Sequence, residues 1–574
     1  MSEVTFIKGK EASLEQSISY MQTILQQQGI QIQQANGLNP VENIYSLHIF
    51  DRACPGLFTN GKGASEKATL ASALGEYLER LSTNYFFSDY YLQPALENQQ
   101  AWLYYPHEKI FNAADFRACL TPDLWAMYDP HQEWMAEHLY SFNDDTPLIR
   151  ALPLRDTSSN KIVYFPMNLL SNLYASNGLS AGNTAEEAYV QGLSEIFERW
   201  VKNKILRENL CLPEVPQAVL ARFPAVLSAL SALAEQGLAV SVRDASLGGQ
   251  FPVINVTLFD TAQGRCFASF GAHPLFEVAL ERALTESLQG RHLTFLDGFQ
   301  VPTFDVQAVA EAENLENHFI DSSGLLHARF LANEADFEFV DWNWVGTCTQ
   351  QWTFLVQLAE SLGYRVYVGD YAHYGFDACR LIVPGMSEVY PLDELLVKNQ
   401  NDGRRLRQAL DAFVDSATAQ SVLDIIDEIG FSDHQGVASL IGLMPDAGSD
   451  WADLKIADLR FWLQLAKQDW YEAFEALQIA KAFAHPEKPM AKVFEAFSLM
   501  LEIKLDDLDY AAYQPGLLKL FGATTLTRVE QHFSGEQVAW GIALGQAAFD
   551  HSARHQAMLA AYIQAGKAKA AFYL

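Results

Sequence analysis

Three stretches of the chain carry acidic residues at a spacing that can do chemistry. The first is Ser72, Glu76 and Glu79, followed by Arg80; the second is Gln191, Glu195 and Glu198, followed by Arg199; the third, weaker, is Arg282, Glu286 and Gln289. Each places a polar residue, a glutamate and a glutamate or glutamine at i, i+4 and i+7, which is one stripe along an α-helix. The surrounding residues are helix formers with no proline among them. Facing water, such a stripe loses only a few tenths of a kcal/mol to like-charge repulsion. Facing inward, the same carboxylates require cations or protons. Carboxylate oxygens suit Mg²⁺, which bridges them to nucleotide phosphates, while Arg199 and Arg282 could grip phosphate oxygens in bidentate fashion. The pattern alone leaves a solvated stripe and a shared metal–phosphate site both open.

The elements that must position these stripes follow one order: strand, glycine-bearing turn, helix. Strands are predicted within 43–59, at 161–175, at 238–243, at 252–259 and from Cys266, and the three helices near 66–85, 184–204 and 276–292. Asn183 and Thr184 are both plausible N-caps of the second. The repetition points to one α/β unit with pseudo-repeated strand–helix pieces. Two further strands are expected around 364–370 and 379–383, the latter ended by Pro384-Gly385. Gly56–Gly63 nearly matches a P-loop but has glycine where a Ser or Thr would bind Mg²⁺, so it reads as a flexible turn. A short strand-like piece opens the chain, and a helix is predicted over Leu14–Gln28, with Lys10 and Ser17 at its start, where an anion can sit. Residues 85–150 read as an irregular, lid-like insertion without chemistry. His273 reads as a turn residue, since no nucleophile accompanies it. Beyond residue 395 helical periodicity takes over. Trp462-x-x-Leu465-Ala466 followed by Tyr471–Leu477 resembles part of a tetratricopeptide unit. This divides the chain into an α/β domain (1–395) and an all-α, tetratricopeptide-like accessory domain (396–574) expected to contact protein.

Composition narrows the function. With 574 residues, two or three domains are expected. The net charge of −31 argues against direct nucleic-acid or anionic-membrane binding, since both need a basic face. The six cysteines (Cys54, Cys119, Cys211, Cys266, Cys348, Cys379) are scattered without a C-x-x-C, the usage of a reducing compartment. The start lacks an apolar signal segment and no long apolar run appears, so the cytoplasm is expected.

The three stripes, with Phe6-Ile-x-Gly-Lys10, Thr59–Ala64, Arg291 after the third stripe, and Ile382-Val-Pro-Gly-Met386, resemble the signature segments of the YcaO superfamily over essentially the whole chain. That resemblance implies an ATP-dependent protein that activates a peptide backbone amide by phosphoryl transfer. It implies Mg²⁺ ligands at Glu76, Glu79, Glu195, Glu198 and Glu286. ATP contacts are implied at Lys10, Ser17, Ser72, Asn183, Gln191, Arg199 and Arg282. No catalytic residue is assigned. Azoline-forming members often end in P-x-P-x-P, whereas this chain ends Lys-Ala-Ala-Phe-Tyr-Leu, and no fused leader-peptide-binding domain is recognisable. The implied role is instead an accessory factor in β-methylthiolation of an aspartate in the twelfth small-subunit ribosomal protein, beside a radical-SAM methylthiotransferase, with a homodimer as the expected state. A non-catalytic nucleotide-binding adaptor that recruits a protein through its helical domain is the alternative.

Overall fold

The computed structural model describes residues 4–93, 102–413, 416–485, 487–537, 542 and 544–574. Its strands are β1 (Ile32–Val41), β2 (Ile44–Asp51), β3 (Phe58–Gly63), β4 (Lys109–Phe111), β5 (Ile149–Asp156), β6 (Ile162–Pro166), β7 (Leu179–Gly182), β8 (Leu238–Asp244), β9 (Val253–Asp260), β10 (Arg265–Ala272), β11 (Tyr367–Tyr371) and β12 (Asp377–Ile382). They form three sheets of antiparallel pairs: β1-β2-β3, β10-β9-β8, and β4-β5-β11-β12-β7 with β6 on β5. The strand that precedes each glutamate stripe, β3, β7 or β10, is the edge strand of its own sheet.

The first two stripes lie wholly on helices, Glu66–Ser82 and Ala185–Glu208, whereas the third helix, Phe276–Ser287, carries Arg282 and Glu286 but ends before Gln289, short of the expected residue 292. Ser65 and Thr184 cap the first two, accepting hydrogen bonds from the backbone N–H of Ala68 and Glu187. Each helix packs on its own edge strand and also reaches the next unit: the first helix touches β7, the second β10, the third β3. The three strand–helix units therefore close on one another as a ring.

Close backbone approach makes the ring possible. A Cβ on Gly61 of β3 would stand 2.2 Å from the Thr69 carbonyl and 2.6 Å from the Ala73 nitrogen, and one on Gly271 of β10 would stand 2.3 and 2.5 Å from the corresponding atoms of Ala279 and Ala283. The second unit meets the same constraint differently. Ser180 replaces the strand glycine and donates its hydroxyl to the Ala188 carbonyl at 2.7 Å, and the helix supplies Gly192 where the others have Ala73 and Ala283. A Cβ on Gly192 would strike the Ser180 hydroxyl at 2.7 Å.

Several expectations are corrected. Gly56–Gly63 is not a flexible turn; most of it is β3. The polar stretch 176–184 contains β7 and turns only at its ends. Both strands lack apolar alternation because a helix lies against their backbone and leaves no room for large side chains. The segment 161–175 is strand only as far as Pro166 and then coils helically to Tyr174. The opening residues 4–13 hold no strand, whereas β1 was not anticipated. The described residues of 85–150 form no lid. Leu103, Tyr105, Leu124 and Leu139 are buried in the same core as Tyr77, Leu78 and Phe165.

From Asn401 onward the elements are helices, and consecutive ones pack together, as Ile456–Ala466, Trp470–Phe483 and Pro489–Leu505 do. Most of this region has its own core around Phe461, Trp462 and Phe497. The last helix, Ala553–Tyr573, returns to the α/β body, where Met558, Leu559 and Tyr562 join the first core. No described helix is long and apolar enough to cross a membrane.

Candidate functional site

The ring encloses a cavity of about 800 Å³. All twelve residues nominated for ATP and Mg²⁺ line it: Glu76, Glu79, Glu195, Glu198, Glu286, Lys10, Ser17, Ser72, Asn183, Gln191, Arg199 and Arg282. The glutamate stripes therefore face inward, where their charges must be balanced.

That balance is supplied by cations of the same walls. Arg80 pairs with Glu76 (3.3 Å) and Glu79 (3.2 Å), Arg199 with Glu195 (2.5 Å), and Lys62 with Glu286. Arg282 donates to the Gln191 side chain, joining the second and third units. Glu198 accepts the backbone N–H of Ala272 (3.1 Å), and Gln289, at the matching position just beyond the end of the third helix, donates to the Asn60 carbonyl (2.9 Å). Each thus ties its helix to the next unit's strand.

The wall nearest the N-terminus is a polar chain. Ser17 donates to Asn183 (2.7 Å), Asn183 donates to Glu187, and Lys10 pairs with Glu187 at 3.1 Å. Ser72 accepts from the Lys62 backbone at the edge of hydrogen-bond reach, 3.4 Å. His273 follows β10 at the cavity wall, with Nδ1 accepting from the Leu275 backbone. Burial, with Arg282 and Lys10 nearby, pushes its pKa down to about 3, so the ring is neutral.

The electrostatics show what the cavity lacks. Burial, then the neighbouring Glu76 and Glu195, push the Glu79 carboxyl up to about 8 even with Arg80 beside it. Burial, then Arg282, pull Lys62 down to about 8. Arg282 Nε is buried without a hydrogen-bond partner, and an unsatisfied buried guanidinium nitrogen is costly. A carboxylate set short of positive charge beside the Arg282 guanidinium nitrogen short of an acceptor fits a magnesium–phosphate ligand. Among the described residues no group of three or more acidic, histidine or cysteine side chains stands where it could hold a metal ion; Glu76, Glu79, Glu195 and Glu286 are paired with Arg80, Arg199 and Lys62 instead.

Lys62, Arg80, Glu187 and Lys202 also face the cavity or its polar chain without having been nominated. Lys62 is legible in the sequence: it is the lysine of the near-P-loop Gly56–Gly63, ten residues before Ser72. Glu187 and Lys202 extend the second stripe by one helical turn at each end, four residues before Gln191 and four after Glu198, so the same periodicity points to them.

Comparison with known proteins places these features in a family. A family model described as YcaO cyclodehydratase, ATP- and Mg²⁺-binding, matches residues 60–387, and a YcaO cyclodehydratase C-terminal-domain model matches 403–571. The chain is 43% identical over 99% of both chains to the ribosomal protein S12 methylthiotransferase accessory factor YcaO of Escherichia coli. It is 41% identical, again over 99% of both, to an uncharacterized protein of Haemophilus influenzae. Among solved structures, it is similar to YcaO from Methanopyrus kandleri bound with AMPPCP and Mg²⁺ (TM-score 0.42, 19% identity, 67% of this chain and 95% of that one). It is also similar to a heterocyclase in complex with substrate and cofactor (TM-score 0.47, 18% identity, 67% and 55%). Matched along its α/β body by the one model and along its helical part by the other, this chain belongs to the YcaO family, an ATP- and Mg²⁺-binding cyclodehydratase family.

Proposed function

We propose that this chain binds Mg²⁺ and ATP in the ring cavity and activates a peptide backbone amide there, acting in the cytoplasm as an accessory factor for modification of an aspartate in ribosomal protein S12. The single observation behind this reading is that twelve polar residues from distant segments line one cavity. Glu76, Glu79, Glu195, Glu198 and Glu286 would hold Mg²⁺. Arg199 and Arg282 would turn from Glu195 and Gln191 to phosphate oxygens. Lys10, Ser17, Ser72, Asn183 and Gln191 would hold the rest of the nucleotide. A nucleotide held there would supply its terminal phosphoryl group to the amide oxygen, with the nucleoside diphosphate as leaving group, so that a nucleophile adding to the backbone carbon would expel that oxygen as phosphate. The chain's contribution is position and charge neutralisation, the main requirement of phosphoryl transfer. The relative's name favours a methylthiotransferase partner, and the helical region after residue 395 is the part proposed to meet it. A homodimer is carried over as part of the same reading.

The test is thermal stabilisation by ligand. ATP at a hundredfold excess over its dissociation constant should add about 2.7 kcal/mol, with Mg²⁺ present and not without it. Glu195→Ala and Arg282→Ala should each abolish that gain while leaving the ligand-free melting curve cooperative. Full stabilisation of either variant would overturn the assignment. Phosphate release that depends on a protein substrate would separate the enzyme from a nucleotide-binding adaptor, which would show none.

A further inference from the structure

The cavity mouth carries a face that a nucleotide does not need. Arg291, Phe319, Ile320 and Asp321 line the cavity, and the chain around them runs on as two strips fastened side by side. Arg291 donates to the carbonyls of Asp297 and Asp321. Thr303 is bonded through its backbone to Leu326 and Ala328. These ties hold 295–304 against 319–328.

The face is both apolar and acidic. Phe304 is 81% exposed, Phe295 72% and Ile320 65%, among the most exposed large apolar side chains of the described residues. Phe304 touches the edge of His327 and gains little from the fold. Residues 291–345 contain ten acidic residues and two basic ones, and both basic residues are engaged, Arg291 with Asp321 and Arg329 with Asp336. Exposed apolar side chains on strips that reach the cavity wall at Arg291 and Ile320, set among carboxylates that outnumber the cations, form a binding surface with a definite preference in charge.

We propose that this rim docks an extended, cationic stretch of the protein substrate. Lysine or arginine side chains lie against Asp297 and Asp321, and apolar ones against Phe295, Phe304 and Ile320, so that the adjoining backbone enters the cavity. The charge excludes nucleic acid as occupant and disfavours a second copy, because a two-fold contact would set like charges against each other. This inference rests on the peptide-amide reading above and names the substrate class for that site.

The experiment uses the full chain with Mg²⁺ and a non-hydrolysable ATP analogue. Fluorescence anisotropy follows three labelled twelve-residue peptides: one alternating Lys/Arg with Val/Leu, one with Glu in place of Lys/Arg, and one with Ser in place of Val/Leu. Only the first should bind measurably. Asp297→Lys and Phe304→Ser, both on exposed side chains, should each weaken it at least tenfold while ligand-induced thermal stabilisation by the analogue stays at the wild-type value. Equal binding of all three peptides, or of the first peptide to all proteins, would overturn the rim. So would loss of self-association by Phe304→Ser in sedimentation velocity, which would make the face a contact between copies. Failure of the wild-type protein to discriminate among the peptides while it binds the analogue counts against the rim alone, whereas wild-type nucleotide binding by Glu195→Ala counts against the site itself.

Discussion

Replacing Gly61 by serine should damage the ring at a defined joint, and a second change should partly mend it. The serine Cβ would begin 2.2 Å from the Thr69 carbonyl and 2.7 Å from the Ala73 Cβ, both on the first glutamate helix. Ordinary contact needs more than 3.4 Å, so the helix must move by roughly 1 Å. Inserting volume into a packed site costs about 1–3 kcal/mol, and for a body of this size each kcal/mol lowers Tm by about 2–4 °C. The same movement displaces Ser72 and Glu76, which lie on that helix and line the cavity, so affinity for Mg-ATP should fall as well. The second unit already contains a solution, Ser180 facing Gly192, with the hydroxyl bonded to the Ala188 carbonyl. Ala73→Gly alone should cost about 1 kcal/mol for a glycine inside a helix. Combined with Gly61→Ser it should give a double variant more stable than the sum of the singles by about 1 kcal/mol or more, a coupling measurable in a double-mutant cycle. Recovery should be partial, because the Thr69 carbonyl remains in place. The assay is thermal unfolding of the four proteins without ligand, then nucleotide titration. A wild-type Tm for Gly61→Ser, or strict additivity in the cycle, would refute the claim that small residues at this joint set the distance between strand and helix.

Two further outcomes follow from buried groups away from the cavity. His555 is fully buried, accepting from the Met444 backbone and facing the Tyr91 carbonyl; burial pulls its pKa from 6.5 to about 4. The unfolded chain then binds the extra proton between those values, so stability should fall by roughly 3 kcal/mol as pH drops from 6.5 to 4, and His555→Gln should flatten that slope in Tm against pH. Tyr562, on the last helix, donates its hydroxyl to the Leu103 carbonyl in the core of the α/β body. Tyr562→Phe should cost about 1–3 kcal/mol, and hydrogen exchange should show increased opening around Leu103 rather than in the helices 456–505.

How much of this is legible in the sequence depends on the range of the interaction. The stripe of Ser72, Glu76 and Glu79 is visible because helical periodicity is local and the residues are chemically loud. The strands that feed the helices are nearly silent: β3 reads Phe-Thr-Asn-Gly-Lys-Gly and β7 reads Leu-Ser-Ala-Gly. Alternating burial normally marks a strand, but a helix lying on the backbone replaces large side chains with glycine and serine, so the sequence looks like a turn. The Tyr104–Tyr105 region fails for a different reason. Its aromatics are apolar without a period, and they are buried by a helix more than 450 residues away, through Tyr562. Closure of the ring, each helix on the next unit's strand, is a relation among three distant segments and has no local signature.

Ring closure also decides how the cavity can respond to a ligand. Four of the five carboxylates proposed to bind a metal are held by a cation that could bind a phosphate: Glu76 and Glu79 by Arg80, Glu195 by Arg199, Glu286 by Lys62; Glu198 is held by the Ala272 backbone instead. A triphosphate arriving alone would draw Arg199 away and leave Glu195 uncompensated in a partly buried wall. A magnesium ion arriving alone would leave the guanidinium groups without acceptors. Either half-exchange leaves a buried charge without its partner, which is costly. The two together exchange every pair at once, carboxylate to metal and guanidinium to phosphate, with little change in net charge. The ligand-free ion pairs are therefore more than stability elements. On the proposed assignment they would couple the two ligands, and thermodynamic reciprocity would then require the metal to strengthen nucleotide binding by the same factor that the nucleotide strengthens metal binding. The Mg²⁺ dependence of ATP stabilisation thus measures how far the helices share one site: three helices acting independently would show nucleotide affinity indifferent to the metal.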